Sequence, residues 1–186
     1  MRAALAALVE SCRPWDAREA EDIGFAQKWA ASGAVLCRTA KPDQPSPHLV
    51  SYFLVMDETS GKLLLVNHRK AGLRLPSGGH CEPADGTPWR TVEREQIEEL
   101  RQPAVASHQL GTNPFFTTVT QTRGPGSHVD VSLWHLSLAA EEAVTWHDEE
   151  EFSGIEWMTI DAVLNTSIDL LDPEMHRATR KLVALL

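Results

Sequence analysis

The chain has 186 residues, 42% of them hydrophobic and 23% charged, with a formal net charge of −9. That balance describes one globular domain with a real core, or a domain carrying a terminal extension. The acidic surplus makes sequence-independent nucleic-acid binding a poor candidate, since that needs Lys and Arg against phosphates. No apolar run reaches the ~20 residues of a membrane span.

The first 33 residues are rich in Ala, Glu and Arg and poor in β-branched residues, which predicts two helices broken near Pro14. Asp16 is placed to cap the second and Gly33 to stop it. The apolar start, Met1 to Val9, is short for a signal peptide and ends at Glu10, so it reads as helix. Residues 41–47 hold three prolines and form no regular element. They mark a boundary between a helical arm, residues 1–40, and a main domain, residues 41–186.

Beyond the boundary the pattern turns strand-like over 48–56 and 62–68, with a turn at 57–61 between them. Gly78-Gly79 reads as a forced turn. A helix follows, capped by Thr87, opened by Pro88 and running to about Arg101. Residues 115–121 and 128–138 suit an antiparallel pair of strands, residues 155–158 a short strand, and 161–164 and 173–185 helices. Strands with interspersed helices, joined partly by hairpins, predict an α/β sandwich with a mixed sheet. Cys12, Cys37 and Cys81 are widely spaced with no CxxC pair. That disfavours a disulfide framework or a cysteine zinc site and suits a reducing, cytoplasmic setting.

The chemistry concentrates in residues 78–99. At about 100° per residue, Glu95, Glu98 and Glu99 share one face of the predicted helix, with Trp89, Ile97 and Leu100 expected on the other against the sheet. Three carboxylates at this spacing repel one another unless cations neutralise them. Hard oxygen donors favour Mg2+ or Mn2+ over zinc, and Mg2+ completes its shell with water and substrate phosphates. An acidic helix face alone is often just solvated. Here it follows Gly78-Gly79-His80-Cys81-Glu82-Pro83 and is introduced by Arg94, an order that chance explains poorly.

With those residues in place, the sequence resembles the Nudix hydrolase family. Gly79 matches the first glycine of the family box, Asp85 stands where its first Glu is expected, and Arg94-Glu95 and Glu98-Glu99 match its core. Leu75-Pro76-Ser77-Gly78-Gly79-His80-Cys81-Glu82-Pro83 resembles the family's flanking phrase. Four departures stand out. The spacer 86–93 has eight residues rather than seven and is expected to bulge the loop before Thr87. Asp85 replaces Glu, Gln96-Ile97 is transposed, and Arg101 replaces the closing glycine.

The resemblance implies a Nudix-like α/β/α sandwich with an N-terminal helical extension, and a Mg2+-dependent hydrolase (Mn2+ as the alternative ion). The bond cleaved would be a diphosphate in a nucleoside diphosphate derivative or nucleoside triphosphate. Glu95, Glu98, Glu99 and the carbonyl of Gly78 would hold the metal, and Arg94 would orient a glutamate. The base that activates water is Glu95 or a carboxylate of the run 148–151, where Glu151 ranks first and Glu150 second. The departures motivate an alternative, a non-catalytic Nudix-fold module that binds a nucleotide derivative.

Substrate contacts are assigned by position. Arg69 and Lys70 end a strand and could reach phosphates. Tyr52, Phe115, Phe116 and Trp134 could stack on a base, with core packing as the plainer reading for such aromatics. Alternation puts His128, Asp130, Ser132 and Trp134 on one strand face, which reads either as a pocket wall or, preferred, as the solvent side of an edge strand. The other histidines receive no role. The expected partner is a small nucleotide-like molecule, with no nucleic acid and no membrane. A homodimer through the helical arm is the further expectation.

Overall fold

A computed structural model describes residues 1–39, 46–122 and 127–186. Most of the proline-rich boundary and of the stretch joining the strands expected at 115–121 and 128–138 lies outside the described residues.

The arm folds as expected into α1 (Arg2–Ser11) and α2 (Ala17–Ala31). Asp16 caps α2, its carboxylate accepting from Glu19 N at 2.8 Å, and Gly33 follows with φ 84°. The strands are β1 (His48–Asp57), β2 (Lys62–His68), β3 (Leu73–Leu75), β4 (Ser77–His80), β5 (Phe116–Gln121), β6 (Val129–Leu138) and β7 (Phe152–Thr159). Between β4 and β5 runs α3 (Pro88–Leu100); α4 (Ile160–Asn165) and α5 (Met175–Leu185) close the chain.

The strands form one mixed sheet. Its main order is β3-β2-β1-β6-β5, with β4 also paired to β1 and β7 to β2. β1 and β6 run parallel, and the other pairs antiparallel, including the expected β5–β6 pair. Period-two alternation along β1 divides the core. Phe53 and Val55 pack under α3 with Val92 and Leu100. Leu49, on the same side, joins Val131 and Leu133 beneath Leu5, Val9, Ile23 and Trp29 of the arm. Leu54 faces the other way, toward Val163 of α4 and Ala178 and Leu182 of α5. Helices therefore cover both faces, an α/β/α sandwich.

The apolar stripe of the arm is spent on the sheet. A buried ion pair fastens it further: Lys181 Nζ of α5 donates to Glu19 Oε1 of α2 at 2.6 Å. Glu19 also accepts from the backbone of Thr117 and Trp15.

Three expectations need correction. Gly78-Gly79 is not a turn but part of strand β4, paired with Tyr52 and Ser51 of β1. Ile97 does not bury α3 against the sheet; it is 56% exposed. The inward line runs Val92, Gln96 and Leu100, at i, i+4 and i+8, and Ile97 lies about 100° off it. Gln96 is fully buried, its amide donating to Pro103 O at 3.2 Å. Finally, β6 is an interior strand between β1 and β5, so its polar face cannot be the solvent side of an edge.

Candidate active site

Two glycines bring β4 and α3 together. A side chain at Gly78 would meet Tyr52 Cα of β1 at 2.8 Å, and its φ of 135° is one that other residues rarely adopt. A side chain at Gly79 would meet the carboxylate carbon of Glu95 at 2.6 Å. The glycine backbone thus lies directly against the glutamates of α3. Gly78 N donates to Glu99 Oε2 at 3.1 Å.

The helix that carries the carboxylates is regular and unbroken from Pro88 to Leu100. Thr87 caps it, accepting from Arg90 N at 3.3 Å. It ends where the closing glycine is missing. Arg101 itself takes the left-handed conformation, φ 52° and ψ 32°, and its guanidinium lies 3.9 Å above the ring centroid of Trp146.

Arg94 organises the carboxylates. Its Nε and Nη2 engage the two oxygens of Asp85 at 3.1 and 3.2 Å. Nη1 donates to Glu95 Oε1 at 2.8 Å and Glu98 Oε2 at 3.1 Å, and Nη2 also donates to His80 O at 3.0 Å. Asp85, one methylene shorter than the family's Glu, is thereby the fork's anchor. It is held in turn by Thr91 Oγ1 and Glu82 N, each at 2.8 Å. Burial alone would raise the Asp85 carboxyl, but these donors win and hold it below the usual range.

The carboxylates beside Arg94 differ in setting. Glu98 is exposed, Glu95 nearly enclosed and Glu99 buried. Burial pushes Glu95 up to about 7, against the pull of Arg94 and with help from Glu98 and Glu151. Burial raises Glu99 well above the carboxylate range, and the charges of Glu95 and Glu151 add to the effect. Burial that disfavours the charge on both carboxylates is offset when a divalent cation sits between them, and an all-oxygen donor set suits Mg2+ or Mn2+.

Around them lies a cleft of about 600 Å³. Gly78, Arg94, Glu95, Glu98, Glu99, Glu150 and Glu151 all line it, as do Arg69 and Lys70. The acidic loop reaches the cleft because Asp148 N donates to Glu99 O at 2.9 Å. Arg69 braces the same loop, its Nε donating to Glu149 O and Phe152 O at 3.0 and 3.1 Å. Phe116 has no part in the cleft. It is fully buried in the core, edge-on to Trp134, and offers a ligand no surface.

A second cavity, about 610 Å³, adjoins the first and shares Tyr52, His68, Lys70, His80 and Asp130 with it. Its wall includes His128, Asp130, Ser132 and Trp134, the polar face of β6. Trp134 is fixed by donating to Thr118 Oγ1 at 3.1 Å and meets Tyr52 edge-on at 5.2 Å. The alternation of β6 was visible in the sequence, but nothing local showed that β6 lies inside the sheet. His48 and His80, given no role from sequence, join His128 and Asp130 here in one cluster. Only strand register brings them together.

Residues 47–185 match the NUDIX domain family. The chain belongs to the Nudix hydrolase family. Its fold is similar to that of a NUDIX-family hydrolase from Clostridium perfringens, with 22% identity, a TM-score of 0.56, and coverage of 76% of this chain and 100% of that one. It is similar to an Ap4A hydrolase from C. elegans, with 15% identity, a TM-score of 0.56, and 73% and 95% covered. The MutT protein of Methanosarcina mazei gives 18% identity, a TM-score of 0.56, and 73% and 92% covered. No curated protein matches this chain. Among the described residues no helix is long and apolar enough to cross a membrane.

Proposed function

We propose that this Nudix-type pyrophosphate hydrolase cleaves a diphosphate linkage in a nucleoside diphosphate derivative or nucleoside triphosphate, with Mg2+ as its working ion and Mn2+ as substitute. The observation that carries this reading is Arg94, which holds Glu95 and Glu98 together beside the Gly78–Glu99 contact on the wall of one cleft.

Glu95, Glu98 and Glu99, with the carbonyl of Gly78, would hold the ion. When bound, it neutralises the phosphates and lowers the pKa of water. The rest falls to the chain. Arg94 keeps Glu95 and Glu98 in register through Asp85. Glu151, facing the carboxylates from the opposite loop, takes the proton of the attacking water, with Glu150 and Glu95 ranked behind it. Lys70, exposed at the cleft rim, meets phosphate oxygens, and Arg69 keeps the acidic loop in place. Positioning and charge of this kind supply most of the acceleration in phosphoryl transfer.

The departures from the family box weigh little against catalysis. Asp85 still anchors Arg94, Gln96 is hydrogen-bonded, and α3 ends on schedule at Arg101. A module that only bound nucleotides would have less use for all four of Arg94, Glu95, Glu98 and Glu99. Three free thiols, Cys12, Cys37 and Cys81, support a reducing, cytoplasmic location. The arm, residues 1–40, serves as an added helical layer on the domain over 41–186, and its exposed Trp15 and Phe25 are the residues through which a homodimer would form.

The test is release of phosphate or pyrophosphate from a panel of nucleoside triphosphates, nucleotide sugars and dinucleoside polyphosphates. Turnover should require Mg2+, stop with EDTA, and fall by about a thousandfold in Glu98→Gln, in line with losing a main charge-stabilising group. Absence of turnover on the whole panel, together with unaltered Mg2+ affinity in Glu98→Gln, would refute the assignment.

A further inference from the structure

Three histidines and an aspartate meet at one end of the sheet. His48 opens β1 and pairs with Asp130 of β6, while His80 closes β4 and pairs with Val50, two residues along β1. By alternation, His48, His80, Asp130 and His128 therefore project on one face. Asp130 Oδ1 lies 3.1 Å from His48 Nε2, 3.2 Å from His128 Nε2 and 4.0 Å from His80 Nε2. One donor atom from each of the four lies within 4.8 Å of the others.

Asp130 is 6% exposed, and its Oδ1 accepts no hydrogen bond among the described residues although two imidazole nitrogens lie just over 3 Å away. Ligands of a tetrahedral ion at ~2.0–2.1 Å stand about 3.3 Å apart, so the two short contacts already match its edges. The widest pairs need to close by about an ångström and a half to reach that same edge. An outer partner stands beside one ligand. Thr122 Oγ1 lies 3.2 Å from His128 Nδ1 and 3.2 Å from His128 O; when it donates to the carbonyl it is open to Nδ1–H. In that tautomer Nε2, the nitrogen on the Asp130 side, is the ligand atom.

We propose that His48, His80, His128 and Asp130 form a second divalent-cation site, separate from the glutamates of α3 and selective for a transition ion of the zinc type. Three imidazoles and one carboxylate suit zinc, cobalt or nickel and are a poor set for Mg2+, which demands oxygen. Their charge leaves a bound dication with a net positive charge of one. The site is coupled to the glutamates through the backbone: Gly79 lies against Glu95, and the next residue, His80, contributes its carbonyl to Arg94 and its side chain to the cluster. His80, His128 and Asp130 also line the second cavity, so the ion would place a positive centre in the wall of the space adjoining the cleft. Its net positive charge would draw an anionic group of a bound molecule toward that wall.

The test uses the full chain, stripped of metal and held in excess Mg2+ so that the glutamates are occupied. Co2+ is titrated in and followed by its visible d–d absorption. One equivalent should give the bands of a tetrahedral site, and Zn2+ should abolish them. Asp130→Asn and His128→Ala should each weaken Co2+ binding by more than about 100-fold, beyond the upper range for losing an outer partner. Glu98→Gln should leave it unchanged. Circular dichroism of the metal-free variants checks folding, and His80→Ala, altering a side chain 25% exposed, serves if His128→Ala does not fold. No saturable Co2+ binding, or bands lost in Glu98→Gln and kept in His128→Ala, would overturn the proposal. Because the readout is metal binding alone, failure of the hydrolase assignment leaves it standing, and the reverse holds.

Discussion

Gly79 and Glu95 share a space that only a glycine leaves open: a Cβ on Gly79 would sit 2.6 Å from the Glu95 carboxylate carbon. Gly78, its neighbour, faces β1 backbone instead. The two glycines should therefore fail differently. In Gly79→Ala the obstructed group is the far end of a side chain, which can swing aside. Stability should change little, while displacing a carboxylate by about an ångström should lower kcat/KM by about 100-fold. In Gly78→Ala the obstructed group is backbone and the φ of 135° is strained as well, so stability should fall by about 2 kcal/mol or more. Urea denaturation paired with turnover separates the two; equal losses of stability would show that Gly79 is merely structural.

Asp85 carries the next prediction. It grips Arg94 with both oxygens and leaves Nη1 for Glu95 and Glu98. Asp85→Ala should free the guanidinium and lower activity by about 10–100-fold, the usual effect of removing a residue that orients metal ligands. Stability should fall by about 2 kcal/mol, because a partly buried charged donor loses its partner. Asp85→Glu, which keeps the charge, should lose much less. Equal activity in Asp85→Ala and the parent would mean that His80 O, Glu95 and Glu98 suffice to position Arg94.

Much of this was legible in the sequence because it is local. Thr87-Pro88 marks a helix start, Asp16 a cap, and the spacing of Glu95, Glu98 and Glu99 a shared face. What escaped was set by pairing between distant segments. Gly78-Gly79 reads as a turn by composition, yet β1 offers β4 a partner, so it becomes strand. Ile97 reads as core by hydropathy, yet Gln96 sits on the inward line and finds Pro103 O. His48, His80 and His128 are 32 and 48 positions apart along the chain, and no local rule unites them. The parallel pairing of β1 with β6 and the antiparallel pairing of β1 with β4 do.

Arg101 tests how a helix ends without its usual glycine. It sits at φ 52°, where a side chain costs about 1–2 kcal/mol, and stacks on Trp146 in partial return. Arg101→Ala loses the stack and keeps the strain, whereas Arg101→Gly loses the stack and relieves it. The glycine variant should thus be more stable than the alanine variant by about 1 kcal/mol. Equal midpoints in urea would show that the left-handed turn is not occupied in solution.

The Glu19–Lys181 pair tests whether the arm is integral. Both side chains are buried, and each is tied to a different end of the chain. Lys181→Met leaves Glu19 buried without its cation and should cost about 3–5 kcal/mol. Adding Glu19→Gln should recover part of that loss, since the uncompensated charge is gone. If Lys181→Met unfolds no more readily than the parent, the arm is not docked as the buried pair requires.

His135 makes stability depend on pH. It is fully buried edge-on to Trp89, and burial, only partly opposed by the Thr112 backbone, pushes its pKa down to about 3. An unfolded histidine titrates near 6.5. Below about pH 6.5 the unfolded chain takes up a proton that the folded one refuses, so stability is full above that pH and is lost as pH falls toward 3. The slope is about 1.4 kcal/mol per pH unit, or about 2 kcal/mol between pH 7.5 and 5.0. Asp172 acts oppositely, because burial raises it to about 6 and the folded state then holds the extra proton. Comparing the parent with His135→Leu cancels that contribution, which both chains share. Urea denaturation at the two pH values should show the parent losing about 2 kcal/mol more than the variant. Parallel losses would mean that His135 is protonated, or reachable by water, in the folded protein.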